Sequence, residues 1–420
     1  MEKERGQAHL PDLELLWSLV ETDELGISGS GRWACPRSSI TQNANHMRTT
    51  HRSSQILIPL LGFVVWAVQL ASAQVHGSTA KVSDDKAAQI DAIFRDYDRP
   101  DAPGASVIVI SRGKVLFKKS YGLANPETKT KSSNQTNYRL ASCTKQFTAM
   151  AIMILAERKK LSYDSRLTDF FPAFPTYGKQ VSVRHLLNHT SGLIAYEDVM
   201  PESATVPLTD NDVLRMMEQQ DHTDLPPGSQ FRYSNSGYVL LGLIVEKASG
   251  MSFANFLKKN IFGPLHMDHS ALYHRDDHTD RRRAYGYSQQ GDTFVNTDES
   301  LTSSTLGDGR VYSSVNELYK WDQALYTNRL VTAETLKQAF MPTAKVDETT
   351  GYGFGWYIDN SRSMRMLWHS GNTSGFTSRI HRFPEQKFSI IVLTNRSNAP
   401  LAELVNAVQE LYFPNPLGVR

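Results

Sequence analysis

The sequence predicts an α+β fold: an antiparallel sheet built from both ends of the region after residue 73, flanked by helices, with an all-helical lobe between those ends. Three observations carry this expectation. Runs rich in branched and aromatic residues gather at the two ends, at Ala105–Ile110 and Lys114–Lys119 and again at Gly353–Ile358, Met364–His369, Phe376–Phe383 and Phe388–Leu393. The middle reads as helices, over Ser142–Lys159, Asp210–Gln219, Asn235–Ala248 ending at Gly250, Ser252–Ile261, Ser314–Leu325 and Ala333–Phe340. Strands and helices do not alternate as βα units, which argues against a doubly wound parallel sheet.

The front of the chain is different in kind. Residues 1–46 show no sustained period and are expected to be upstream sequence ahead of a true start at Met47, or else a disordered extension. Residues 47–73 read as a secretory signal: Arg48 and Arg52, then the uncharged apolar run Ile56–Leu70, then Ala71-Ser72-Ala73 before Gln74. That run is shorter than the roughly 20 residues needed to span a bilayer, so cleavage near Ala73 is expected rather than a stable membrane anchor. Residues 74–420 are then expected to form one domain, with its helical lobe within about 140–340. Of the two cysteines, Cys35 falls in the leader and Cys143 stands alone, so no internal disulfide is expected. Secretion without disulfides fits a bacterial periplasmic or exported protein.

Bulk composition excludes some classes. The chain has 420 residues, 40% of them hydrophobic, enough for a substantial core. A formal net charge of +2 leaves no nucleic-acid footprint. Arg281-Arg282-Arg283 follows Asp276, Asp277 and Asp280 and reads as a solvated loop.

Along the folded region, Asp84–Tyr97 has a helical pattern with Ser83 as its N-cap, and Arg112-Gly113 forms the turn of a hairpin. Ser-x-x-Lys occurs at Ser78, Ser83, Ser111 and Ser142, but only Ser142 opens a long apolar helix, Phe147 to Leu155. There a hydroxyl and the Lys145 amine share a helical face three residues apart. A serine hydroxyl is a poor nucleophile until a base takes its proton, and a lysine serves when its pKa is lowered. The first helical turn adds unsatisfied N–H groups and a positive dipole end, which favour a developing oxyanion. Neutrality of Lys145 near pH 7 requires a fall of about three units from 10.4, a bias of roughly 4 kcal/mol.

Two further clusters join this one. Arg232-Tyr233-Ser234-Asn235-Ser236-Gly237 follows Pro226-Pro227-Gly228 and precedes a helix. Near an ammonium the Tyr233 phenol can be held partly as phenolate and shuttle protons, while the Asn235 amide can bind a substrate amide or tie down the lysine. Trp368-His369-Ser370-Gly371-Asn372 ends a strand. An edge strand can pair with an extended substrate, Gly371 permits close approach, and His369 can offer a hydrogen bond or, protonated, a charge. Other readings of each cluster are a capping serine with a solvated lysine, an interface tyrosine and a structural histidine.

Ser142-x-x-Lys145, then Tyr233-x-Asn235, then His369-Ser370-Gly371, in this order, resembles the serine β-lactamase and penicillin-binding-protein superfamily. The likeness is greatest to the branch of class C β-lactamases, D-alanyl-D-alanine carboxypeptidases, D-aminopeptidases and esterases, and extends over about Ala87 to Phe413. Leu186-Leu187-Asn188-His189-Thr190-Ser191-Gly192-Leu193, Pro226-Pro227-Gly228 and Trp321-Asp322 add to it. The resemblance implies a β-lactamase/transpeptidase-like fold. It implies Ser142 as nucleophile, Lys145 as its base, Tyr233 as acid/base, Asn235 binding the substrate amide and His369 orienting the substrate's anionic or polar end. It also implies an oxyanion hole from the N–H groups of Ser142 and Asn372. The third motif departs from the Lys-Thr-Gly of typical β-lactamases, which weakens carboxylate anchoring.

The expectation is a secreted, cofactor-free serine hydrolase acting through an acyl-enzyme on a small molecule or peptide, such as a D-amino-acid peptide. The alternatives are a class C-like β-lactamase, a carboxylesterase, or a non-catalytic penicillin-binding sensor. His266, Asp268, His269, His274, Asp277 and His278 match no standard zinc spacing, so no metal is expected. Gly351, Gly353 and Gly355 precede no helix and form no phosphate cradle.

Overall fold

The computed structural model describes residues 84–273, 280–361 and 363–414. The expected signal segment, its cleavage site and residues 1–46 lie outside these, as do His274, Asp277 and His278. Among the described residues no single helix is long and apolar enough to cross a membrane.

Eight strands form the main sheet: β1 (Ala105–Ser111), β2 (Lys114–Tyr121), β3 (Ala344–Lys345), β4 (Thr350–Tyr352), β5 (Tyr357–Asp359), β6 (Met366–Thr373), β7 (Phe376–Phe383) and β8 (Phe388–Thr394). Their order is β3-β4-β5-β6-β7-β8-β1-β2, with every pair antiparallel. The expected class therefore holds, and the two ends of the folded region meet where β1 pairs with β8, Val107 opposite Val392. Alternation assigns the two faces: Val107, Val109, Ile390 and Val392 enter one apolar cluster, Ile108, Ile110, Ile391 and Leu393 the other. In the β1–β2 hairpin Arg112 (φ 48°) and Gly113 (φ 74°) are both left-handed, the geometry that matches strand twist in a two-residue turn.

Helices cover both faces. Helix α1 (Asp84–Ile93) and the last helix, α5 (Leu401–Tyr412), close one face through Ile90, Leu401, Val405 and Val408. The other face carries the helical region, with α2 (Lys145–Glu157), α3 (Asn235–Ser249) and α4 (Val315–Ala324). Helices α2 and α3 are apolar nearly all round because both are buried. Gly250, at φ 71°, ends α3 as read from the sequence.

Three expected elements differ. The helix read from Ser142 starts as a 3₁₀ turn, Ala141–Thr144, and becomes α-helical only at Lys145. Of Gly353–Ile358, read as one strand, only Tyr357 and Ile358 are extended, at the start of β5; residues 353–356 are the turn between β4 and β5, in which the Gly353 N–H donates to Trp356 O at 2.9 Å. The helix read over Ser252–Ile261 is α-helical only for Phe253–Leu257 and continues as a π turn, Lys258–Phe262.

Helix α4 ties the sheet to the site. Asp322 Oδ1 accepts from Arg382 Nε on β7 at 2.8 Å and from the Ser389 hydroxyl on β8 at 2.6 Å, with both charged side chains buried. Next to it, Trp321 Nε1 donates at 3.0 Å to Gln146 Oε1, one residue past Lys145. Breaking a buried pair leaves an uncompensated charge and costs about 3–5 kcal/mol. Asp322→Ala is accordingly expected to lower stability by about that amount in urea unfolding; a loss below about 1 kcal/mol would contradict this anchoring role.

Candidate active site

The turn that carries Ser142 is held from two sides. On one, Tyr138–Arg139 pairs with Val311–Ser313, the Leu140 N–H donates to Val311 O at 2.8 Å, and the Val311 N–H donates to Thr144 Oγ1 at 3.1 Å. On the other, β6 and β7 press against it: the Ser378 hydroxyl donates to Leu140 O at 2.6 Å. A Cβ at Gly371 would stand 2.2 Å from Leu140 O, so no larger residue fits. The sequence reading gave this glycine to close approach of a substrate; the structure gives that space to the nucleophile's own turn. Ala141, at φ 47°, takes a left-handed conformation uncommon for a residue with a Cβ, and such strain persists only where the surroundings enforce it.

Lys145 is fully buried, with Nζ 3.1 Å from Ser142 Oγ, 2.9 Å from Asn235 Oδ1 and 3.0 Å from the Asp308 carbonyl oxygen. Burial pulls its pKa down to about 8, against the opposing pull of the Asp308 and Glu197 carboxylates. About a tenth of the population is then neutral at pH 7. Asn235 opens α3, where Ser234 caps the helix by accepting from the Gly237 N–H at 3.1 Å, and its Nδ2 donates to Glu197 Oε1 at 2.7 Å. With Nδ2 committed there, Oδ1 is turned to the lysine.

Tyr233 lies over the same amine, the lysine Nζ 4.9 Å from its ring centroid. Burial raises the phenol pKa, with interaction from Ser142 opposing. This corrects the expectation of a partial phenolate: the amine meets the ring face, and the hydroxyl stays protonated before substrate binds. His369 is corrected as well. Its Nδ1 donates to Ser370 O at 2.7 Å and its Nε2 accepts from Tyr352 Oη at 3.0 Å, so both ring nitrogens are occupied. Burial, then the charge of Lys145, pushes its pKa down to about 3. It is a neutral wedge between β6 and the tyrosine cluster rather than a cation for a substrate carboxylate.

A cavity of about 90 Å³ adjoins Ser142, lined also by Asn235, Glu197, Asp308, Arg139 and Asn372. Asn372 is exposed, and its Nδ2 donates to Asn398 Oδ1 at 2.7 Å. Strand β5 pairs with β6 only from Met366 to Trp368, so among the described residues no strand covers that side of His369–Thr373. This is the free edge expected for an extended substrate. The structure thus brings Ser142, Lys145, Tyr233, Asn235 and Asn372 around one cleft and places His369 and Gly371 behind it. Sequence reasoning missed Glu197 and Asp308. Only the flanking glycines of Gly307-Asp308-Gly309 marked a tight backbone there, and nothing local marked Glu197.

Comparison with known proteins agrees with this geometry. Residues 90–412 match the family model described as Beta-lactamase. The chain belongs to the Beta-lactamase family. It is 32% identical to penicillin-binding protein 4* of Bacillus subtilis over 80% of this chain and 78% of that protein. It superposes on the octameric penicillin-binding protein homologue from Pyrococcus abyssi with a TM-score of 0.70 and 30% identity, covering 79% and 78% of the two chains. A D-amino acid amidase structure from Ochrobactrum anthropi SV3, with L-phenylalanine amide, gives 0.68 and 25% identity over 79% and 100%. Family membership and the Ser142–Lys145 pair together make this chain a serine hydrolase.

If Lys145 must shed its proton before taking that of Ser142, activity rises with pH. The expected kcat/KM increases about tenfold per unit below pH 8 and levels above it. The neutral His369 adds no inflection between pH 5 and 9. A bell with an acidic limb near pH 6.5 would overturn both assignments.

Proposed function

We propose that the protein acylates itself at Ser142 and passes the acyl group to water, acting on amides and esters such as D-amino-acid peptides after export and cleavage near Ala73. The observation that carries this is the set of contacts at Lys145 Nζ. A neutral amine has two N–H groups and one lone pair. Asn235 Oδ1 and the Asp308 carbonyl oxygen can only accept, so they take the two N–H groups, and the lone pair is left for the Ser142 O–H. Lys145 then receives the Ser142 proton as Oγ attacks the carbonyl carbon. Tyr233, protonated and beside the nucleophile, supplies a proton to the leaving nitrogen or oxygen and is restored from the lysine ammonium. The same relay in reverse activates water for deacylation.

Charge in the cleft supports the substrate class. His369, behind the cavity, is neutral, and Arg139, which lines it, is engaged by Glu299 at 2.9 Å and the Tyr312 hydroxyl at 2.8 Å. Glu197 and Asp308 are acidic, which favours uncharged or ammonium-bearing acyl groups over those that need a carboxylate anchor. A β-lactam brings such a carboxylate, so the class C-like β-lactamase reading is the weaker one.

Intact-mass time courses and steady-state rates with a D-aminoacyl amide, an aryl ester and a penicillin test the proposal. The expected result is turnover of the amide and ester that falls by about 10²- to 10⁴-fold in Lys145→Ala and vanishes in Ser142→Ala, with penicillin processed at least about tenfold more slowly. Turnover of penicillin faster than of amide and ester would replace this reading by a β-lactamase. A Ser142 adduct that never decays with any of the three would replace it by a sensor.

A further inference from the structure

His189 lies in the Leu186–Leu193 stretch that the sequence analysis noted, and the mechanism above leaves it unused. It is fully buried, and three hydrogen bonds tie its segment to the loop that leads into Tyr233. The Ser234 N–H donates to His189 Nδ1 at 3.0 Å, the Arg232 N–H donates to His189 O at 2.8 Å, and the Gly228 N–H donates to Thr190 O at 2.8 Å. Accepting at Nδ1 requires the imidazole to be unprotonated there, with its hydrogen on Nε2. Among the described residues Nε2 has no hydrogen-bond partner. The ring is surrounded instead by those of Tyr233 at 4.2 Å, Tyr352 at 4.7 Å and Tyr238 at 5.0 Å between centroids. Tyr352 in turn holds His369. A buried nitrogen with no partner is a standing cost to stability, tolerated where the other nitrogen and the ring have a positional task.

We propose that His189 is a positioning residue for proton transfer: through Nδ1 it fixes the Tyr233-Ser234-Asn235 turn, and so sets the Tyr233 hydroxyl and the Asn235 amide against Lys145. This rests on the reading of Ser142 and Lys145 as the reacting pair. It assigns His189 no contact with substrate. Loss of the Nδ1 acceptor frees the Ser234 N–H and lets the turn shift, and a displacement of about 1 Å at a reacting group costs on the order of 100-fold in rate. Substrate binding along the β6 edge is unaffected, so the loss falls on kcat.

Two variants separate the acceptor from the ring. His189→Phe keeps an aromatic ring but has no acceptor. His189→Asn loses the ring but keeps an acceptor at the δ1 position, and asparagine tolerates the left-handed backbone found here, φ 59°. With the ester and amide substrates, His189→Phe is expected to lower kcat about 10- to 100-fold with KM within about threefold, and His189→Asn to recover most of that loss. If His189→Phe does not fold, as judged by thermal unfolding, His189→Gln takes its place, since it moves the amide to the ε position and should match the Phe loss. Wild-type kcat in either variant without the δ1 acceptor, His189→Asn no better than they are, or a change confined to KM would overturn the proposal. Undiminished turnover by Ser142→Ala in the same assay would overturn it by removing the reading beneath it, a result distinct from the others.

Discussion

One amine kept dry beside one hydroxyl is the constraint on which the rest of the structure depends. A lysine deep in a protein is tolerated only if its hydrogen-bonding capacity is satisfied, and here the partners come from three separate elements. The strained turn after Leu140 brings the Ser142 oxygen, the capped start of α3 brings Asn235 Oδ1, and the glycine-flanked Asp308 brings a backbone carbonyl. None of these elements neighbours another in sequence. The sheet and the helical region must therefore be assembled before the site exists, and the contacts that join them also position it. Gly371 against Leu140 and Trp321 against Gln146 each join elements of the fold within a residue or two of the reacting pair.

This explains which parts of the site could be read from the sequence. Ser142 and Lys145 are separated by one turn, and Tyr233 and Asn235 by a cap, so local spacing carries them. The strands Phe376–Phe383 and Phe388–Thr394 and the helix Leu401–Tyr412 were legible, to within a residue, because their periodicity is local too. Glu197 and Asp308 act through one buried group from a single 3₁₀ turn, Tyr196–Asp198, and a loop, whose conformations are set by what packs on them, and no period marks them. The turn that replaces most of the strand read over Gly353–Ile358 had the same origin. Its aromatic run satisfied the strand pattern, but Gly355 at φ 77° and the carbonyl of Ala339, which accepts from the Phe354 N–H at 3.1 Å, turn the chain back.

His369 shows where residue type misleads. A histidine at a strand end beside a nucleophile reads as a switchable charge, yet the environment decides. Its Nδ1 is spent on the next residue's carbonyl, its Nε2 receives the Tyr352 phenol, and its ring is surrounded by other rings. Charging it would cost both burial and repulsion from Lys145. The backbone of the same strand remains usable because its edge past Trp368 is free, so the motif contributes through geometry while its side chain contributes neutrality.

That neutrality has a chemical consequence. Around Lys145 the buried imidazoles of His189 and His369 have their pKa values driven down, the phenols of Tyr233, Tyr238 and Tyr352 have theirs driven up, and burial pushes the Cys143 thiol up to about 12. One physical cause, removal from water, moves every one of these groups away from the charged form. It moves Lys145 in the same sense, but Asp308 and Glu197 limit the fall, so the amine comes to rest near pH 8 while its neighbours leave the range altogether. Among these buried bases, phenols and the thiol, the proton that matters has one place to go at neutral pH. The two carboxylates earlier read as a charge preference toward substrate therefore have a second effect: they keep the base basic enough to draw a serine proton, where burial alone would leave it neutral and weak.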